Sequence, residues 1–228
     1  MKRKPLLVGI GIAVTACCLA GGIFFALLRH VPAFYAQAAV ADGPERKQKA
    51  NEFVSKFIRL LGDHRGQWYD TFTSEEINCY LSDGLEKKGV VLPDGVHEPR
   101  VAIEQDRIRL GFRYGKKPWS TIVTVDLRLW HKEPNLVACE FERVRAGLIP
   151  ISIQSFLEKL SESARKQNIE VNYYRHDGHP VAVLRFQADR TNPTFCLQRL
   201  ELRPGELFIH GKAADEVQLQ GEPIAAKD

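Results

Sequence analysis

The sequence predicts an α+β fold, in which an N-terminal transmembrane helix precedes a curved, mainly antiparallel sheet of about seven or eight strands, with a helix packed on the concave face. Two observations support this prediction. The chain begins with a long uncharged stretch, Pro5–Leu28. After Pro99, apolar side chains recur at every second position in successive segments, and one segment with helical spacing, Ile151–Gln167, interrupts them.

The N-terminal stretch is long enough to span a bilayer, because a transmembrane helix needs roughly 20 apolar residues. The basic residues Lys2, Arg3 and Lys4 precede it. Under the positive-inside rule they remain in the cytoplasm, which places the residues after Arg29 outside the cytoplasmic membrane. The side chains expected to anchor the chain in lipid are Leu6, Leu7, Val8, Ile10, Ile12, Val14, Leu19, Ile23, Phe24, Phe25, Leu27 and Leu28.

Two other fates of this segment are consistent with the sequence. Ala36-Gln37-Ala38 has the small-x-small pattern of a cleavage site, although signal-peptide apolar regions run only about 7–15 residues. Val14-Thr15-Ala16-Cys17 is similar to a lipobox, which would lead to lipidation at Cys17, although a second apolar run follows it. All three fates export the domain, and we expect a retained single-pass anchor.

Charge separates the chain into regions. Four of its 32 lysines and arginines lie before Asp42, so the remaining 28 balance all 28 aspartates and glutamates, and the folded domain has no basic excess for a nucleic-acid partner. We expect a cytoplasmic tip and transmembrane anchor over residues 1–29 and a tether over 30–43. An extracytoplasmic α+β domain over 44–212 and a flexible tail over 213–228 follow.

Local patterns predict the elements of the domain. Pro44–Leu61 has helical apolar spacing, and Thr73 with Glu76 three residues later forms a capping box for a second helix. Residues from Ile108 to Tyr114 and from Trp119 to Leu129 alternate as strands, which places Trp119 with the core side chains. Asp177-Gly178 and Pro204-Gly205 predict two further hairpins.

The Ile151–Gln167 helix suggests a binding site. If it crosses a curved sheet without filling the concavity, an apolar groove remains between helix and strands. Its predicted lining residues are Val123, Val125, Leu127, Ile149, Ile153, Phe156, Leu157 and Leu160. A solid core would use the same residues.

No pattern for catalysis, a metal or a cofactor stands out. His176 and His179 flank a hairpin turn with Asp177, and the turn alone explains the aspartate. Cys79, Cys139 and Cys196 have no CxxC spacing. One disulfide among them is possible in an exported domain, but a buried thiol is the favoured interpretation for Cys139, which lies in an apolar alternation. The arginines at polar strand positions, such as Arg109 and Arg145, interleave with glutamates and predict a solvated sheet face rather than an anion site.

The segments FTSEEINCYL, GLIPISIQSFLEKL and LQRLELRPGELFIHG, placed after an N-terminal anchor, resemble the YpmS-type family of membrane-anchored envelope proteins of unknown function. LmeA-type envelope lipoproteins are a more distant parallel. The resemblance covers most of Thr71–Gly211 and implies a lipid-binding curved-sheet fold. The tether lacks the glycine-rich composition usual in lipoproteins.

These observations lead to one leading hypothesis and two alternatives. We expect a non-enzymatic, single-pass protein of the cell envelope whose domain binds a lipid or other apolar envelope molecule. One alternative is a scaffold or partner subunit of an envelope complex, with a solid core and no ligand. The other is an unrecognised hydrolase assembled from residues distant in sequence.

Overall fold

The structure, a computed structural model, describes residues 3–61, 66–83, 85, 92–116, 118–133, 135–166, 173–185 and 195–213. The N-terminal third is mostly helical and the remainder is mostly strand. In chain order the elements are α1 (Arg3–Leu28), α2 (Ala33–Gln37), α3 (Pro44–Leu61), β1 (Gln67–Thr73), α4 (Ser74–Ser82), β2 (Val96–Ile103), β3 (Ile108–Tyr114), β4 (Thr121–Glu133), β5 (Leu136–Ala146), β6 (Ile149–Ile151), α5 (Ile153–Lys166), β7 (Tyr173–His176), β8 (His179–Arg185), β9 (Phe195–Arg203) and β10 (Glu206–Ala213).

The strands of the described residues form two sheets. A seven-stranded sheet has the order β2-β3-β4-β5-β8-β7, with β6 paired to the end of β5, and a three-stranded sheet has the order β1-β10-β9. The strand pairs are antiparallel. The α+β class is therefore confirmed, whereas the expectation of one sheet is wrong. The β9–β10 hairpin pairs with β1, a strand directly before α4 that the alternation after Pro99 did not reveal.

The helix α4 begins as its sequence predicts. The Thr73 side chain accepts from the Glu76 backbone N–H at 3.1 Å, and the Glu76 carboxylate accepts from the Thr73 N–H at 2.9 Å. The buried Asn78 side chain extends the edge of the seven-stranded sheet. Its amide donates to the carbonyl of Val101 at 2.7 Å, and its oxygen accepts from the Val101 N–H at 2.8 Å.

We predict a pH-dependent contribution from Glu76. Burial raises the pKa of this carboxyl, but Lys56, whose ammonium donates to it at 2.6 Å, and the Thr73 backbone outweigh burial, so the pKa lies below its usual value. Glu76→Gln should therefore cost about 1–2 kcal/mol of unfolding free energy at pH 7. A depressed pKa stabilises the fold above the unfolded-state pKa of about 4.3 and loses this effect as pH falls, so the difference should shrink below about pH 4.

Urea denaturation of the full chain in detergent, repeated across this pH range, checks the prediction. Glu75→Gln is the matched control, because Glu75 is exposed and its pair with Lys49 lies on the surface. A loss at Glu76→Gln that stays constant from pH 7 to about pH 3 would contradict the assignment.

The helix α5 packs on one face of the seven-stranded sheet. Its buried Leu157 joins Val125 and Leu127 of β4 and Phe141 of β5 in one apolar cluster. A second cluster joins α3 to both sheets. It contains Leu60 of α3, Val137 of β5 in the seven-stranded sheet, and Phe72, Leu197 and Ile209 of the three-stranded sheet. The half-buried Leu129 packs against both clusters, so the two sheets share a continuous core.

The opposite face of the seven-stranded sheet is charged and partly covered. Tyr35 of α2 is 1% exposed and lies over Gly111, where a Cβ atom would come within 2.6 Å of its ring. The guanidinium of Arg100 stacks on the Tyr35 ring at 4.3 Å and donates to the Tyr35 carbonyl. Nearby, the buried Asp126 carboxylate pairs with Arg145 at 3.2 Å and Arg109 at 3.6 Å. The expectation of a solvated face is thus wrong where α2 covers the sheet.

The end of α1 contacts the domain. The Leu148 N–H donates to the Leu27 carbonyl at 2.9 Å, and the Thr121 hydroxyl donates to the Leu28 carbonyl. The domain thus supplies a donor to two of the carbonyl groups at the C-terminus of α1, and the Leu27 carbonyl also accepts from the His30 N–H at 3.3 Å.

Over the residues that the structure describes, no helix has both the length and the hydropathy of a membrane span. The described residues do not include all of the predicted anchor and tail. Lys2 and residues 214–228 lie outside the described residues, as do the side chains of Arg3, Lys4, Leu6, Leu7, Val8 and Ile10.

Trp119 corrects a prediction. Alternation places it in the core, yet it is 77% exposed. The reason is that β4 begins at Thr121, so Trp119 belongs to the preceding turn, in which its N–H donates to the Lys116 carbonyl. Its ring contacts Phe25 of α1 edge to face, with centroids 6.1 Å apart.

Candidate functional site

An apolar cavity of about 280 Å³ lies where α5 leaves part of the seven-stranded sheet uncovered. We call it the α5 cavity. Phe156 and Leu160, four residues apart on α5, face it from one side because such spacing places side chains on the same helix face. The sheet contributes side chains from four strands. The apolar lining residues are Pro93, Val96, Phe112, Tyr114, Val123, Ile151, Phe156 and Leu160.

The polar lining residues mark the mouth of the cavity. Asp94, Ser155 and Lys159 are the polar side chains among those that line it, and all three are exposed to solvent. The apolar lining residues Phe112, Ile151 and Phe156 are half-buried. The arrangement suits a molecule with an apolar part inside and a polar end at the surface.

The predicted groove residues separate into two groups. Val123, Phe156 and Leu160 line the cavity. Val125, Leu127 and Leu157 are buried in the cluster beneath α5, and Ile153 packs against that cluster. Ile149 is half-buried in β6, where it pairs with Ala146.

Other lining residues were missed. Phe112 and Tyr114 belong to an alternating strand whose apolar side the sequence identified, and that side was the available signal. Pro93 and Val96 precede the segment in which the alternation was recognised. Ile151 lies in β6, a three-residue strand at the predicted junction of strand and helix. A cavity shared by these segments depends on strand order, which local periodicity does not contain.

A larger, more polar recess of about 740 Å³ lies near the start of α3. Its charged groups have partners within the chain. The Lys49 ammonium contacts Glu45 at 3.4 Å and Glu75 at 2.6 Å, while Arg46 contacts Asp42 at 2.7 Å. Asn78, which also lines the recess, is engaged with β2. Lys49, Arg46 and Asn78 are therefore engaged in contacts within the fold.

The cysteines of the domain are poor nucleophiles. Cys79, Cys139 and Cys196 are free and buried, which agrees with the interpretation of Cys139 as a buried thiol and not with a disulfide. Burial raises the pKa of Cys139 to about 12, so its thiol remains protonated at neutral pH. Within the described part of the chain, no three His, Cys, Asp or Glu side chains are grouped so that they could hold a metal ion.

Comparison with known proteins adds no assignment. No family model, no curated protein and no solved structure matches the chain.

Proposed function

We propose that this chain is a single-pass, membrane-anchored protein of the cell envelope that binds a lipid acyl chain or a comparable apolar molecule in the α5 cavity, without catalysing a reaction. The observation that carries the proposal is the chemistry of the cavity. Aromatic and aliphatic side chains surround about 280 Å³, and the polar lining side chains are exposed at its mouth.

The size of the cavity narrows the ligand class. Ligand pockets generally enclose roughly 300–1,000 Å³, so this cavity is at the small end of the range. It suits one acyl chain segment or a similar apolar group better than a complete phospholipid. The Lys159 ammonium at the mouth would then lie near the polar end of the ligand, where it favours an anionic group such as phosphate or carboxylate.

The anchor and its orientation are inferred from the sequence. Pro5–Leu28 carries no charge and Lys2, Arg3 and Lys4 precede it, so the domain would lie outside the cytoplasmic membrane. From Ile12 onward, the large apolar side chains that point away from α1 support this assignment, among them Leu19, Ile23 and Phe24, because lipid would cover them.

Kinship with YpmS-type envelope proteins is part of the same proposal. It is supported by the position of Asn78 on the helix α4, by the Gly147–Pro150 turn that leads into α5, and by the final hairpin around Pro204-Gly205. A curved sheet, which the family resemblance implies, with α5 on its concave face would account for a space beside the helix.

A ligand-free partner subunit is the second candidate. It is favoured by the filled cluster around Val125, Leu127 and Leu157, which occupies much of the predicted groove. The two candidates differ in whether the remaining cavity holds a molecule in the cell.

Native mass spectrometry of the full chain, purified from membranes in mild detergent, separates them. We expect a co-purified lipid whose retention falls in Ser155→Phe, because Ser155 lies at the mouth and a phenyl ring there would obstruct entry to the cavity. Glu158→Phe is the matched control: Glu158 is exposed on the same helix, outside the cavity lining, and should retain the lipid. A wild-type chain without bound lipid, or equal lipid retention in the two variants, would refute the proposal that the α5 cavity binds a lipid.

A further inference from the structure

Exposed apolar side chains gather where the end of α1 meets the domain. Trp119 and Leu148, in two different turns, are 77% and 47% exposed, and Tyr114 at the end of β3 is 43% exposed. We call these three residues the membrane-contact edge. Single exposed apolar residues are ordinary on protein surfaces, but a tryptophan, a leucine and a tyrosine at one end of a sheet require a separate explanation.

The edge is continuous with α1. The Leu148 N–H donates to the Leu27 carbonyl, and the Trp119 ring contacts Phe25. The guanidinium of Arg29 lies 5.2 Å from the centre of the Phe25 ring. Tryptophan, tyrosine and arginine beside the end of an apolar helix form the usual composition of a membrane–water boundary, where amphipathic rings and long basic side chains place a polar end in water.

We propose that the membrane-contact edge lies in the headgroup region of the outer leaflet and holds the domain against the bilayer. This inference rests on the proposed anchor. The exposed Lys116, in the same turn as Trp119, would face lipid phosphates, for which its charge is complementary.

The same edge positions the α5 cavity. Tyr114 belongs to the edge and also lines the cavity, and it pairs with Thr121, whose hydroxyl donates to the end of α1. A domain held by this edge therefore presents its cavity beside the outer leaflet. An acyl chain could enter from the bilayer without crossing water, which removes most of the cost of exposing it.

Tryptophan quenching by brominated lipids tests the proposal on the full chain in liposomes. Lipids brominated near the glycerol end of the acyl chain should quench part of the wild-type fluorescence, and lipids brominated near the methyl end should quench less. The quenching by lipids brominated near the glycerol end should be lost in Trp119→Phe. It should persist in Trp130→Phe, the matched control, because Trp130 lies toward the other end of β4 and contacts His176.

Alkaline extraction of the same liposomes separates this proposal from the anchor. If the chain resists extraction but Trp119 is not quenched, the proposed membrane contact of the edge is wrong, and the proposed anchor stands. A chain that alkali strips from the liposomes would overturn the anchor itself. Trp119 emission that changes with the protein-to-lipid ratio, without quenching, would assign the edge to contact between two copies and also overturn membrane contact.

Discussion

Asn78→Ala is expected to destabilise the domain by about 2–6 kcal/mol, because the change leaves a buried N–H and a buried C=O without partners at roughly 1–3 kcal/mol each. Both groups belong to Val101, which is 7% exposed in β2. In this position the asparagine replaces a neighbouring strand, since its amide meets one residue with the paired donor and acceptor of a β-ladder. Thermal or urea unfolding of the full chain in detergent measures the loss.

Two control variants separate this role from a general effect of substitution. Asn78→Asp keeps an acceptor for the Val101 N–H but removes the donor to the Val101 carbonyl. This variant should therefore be clearly less stable to unfolding than the wild type. Asn51→Ala changes an exposed asparagine on α3 and should stay within about 0.5 kcal/mol of the wild type. An Asn78→Ala variant as stable as Asn51→Ala would show that the two hydrogen bonds contribute nothing.

Gly147→Ala should detach the end of α1 from the domain. Gly147 has φ +58°, a left-handed conformation that costs other residues about 1–2 kcal/mol. An added Cβ would also lie 2.3 Å from the Leu27 carbonyl oxygen and 2.5 Å from that of Leu28. Because both contacts are with backbone atoms, no side-chain rotation relieves them. The bond from the Leu148 N–H to Leu27 should break, and hydrogen exchange at the Leu148 amide should accelerate.

Gly178→Ala provides the matched control. Gly178 also has positive φ, at +85°, but nothing lies within 4 Å of an added Cβ. Both variants therefore carry backbone strain, and only Gly147→Ala adds the clash with α1. Unchanged hydrogen exchange at the Leu148 amide in Gly147→Ala, or equal acceleration in the two variants, would contradict the contact between the end of α1 and the domain.

Elements specified by adjacent residues could be predicted closely. The helix α3 has the predicted bounds, Pro44–Leu61, and the capping box of Thr73 and Glu76 forms as expected. The Asp177-Gly178 turn has positive φ at both residues, which is the backbone that a tight hairpin requires. In each case the determining interactions act over a few positions, so composition and spacing contain them.

Features that depend on distant pairing could not be predicted. The β9–β10 hairpin was recognised, but its partner β1 lies more than a hundred residues earlier in the chain. Trp119 was misplaced because the alternation was extended two residues beyond the start of β4 at Thr121. Three of the predicted groove residues, Val123, Phe156 and Leu160, line the α5 cavity. The contribution of Val96 and Phe112 depends on how β2 and β3 lie beside the helix, which local periodicity does not contain.

Occupancy of the α5 cavity by lipid is the central claim, and photocrosslinking in native membranes tests it most directly. A phospholipid with a photoreactive group on its acyl chain should label peptides that contain Phe112, Tyr114 and Phe156, and Ser155→Phe should abolish this labelling while Glu158→Phe leaves it unchanged. Labelling confined to the α1 segment, with none at β3 or α5 in the wild-type chain, would contradict the claim.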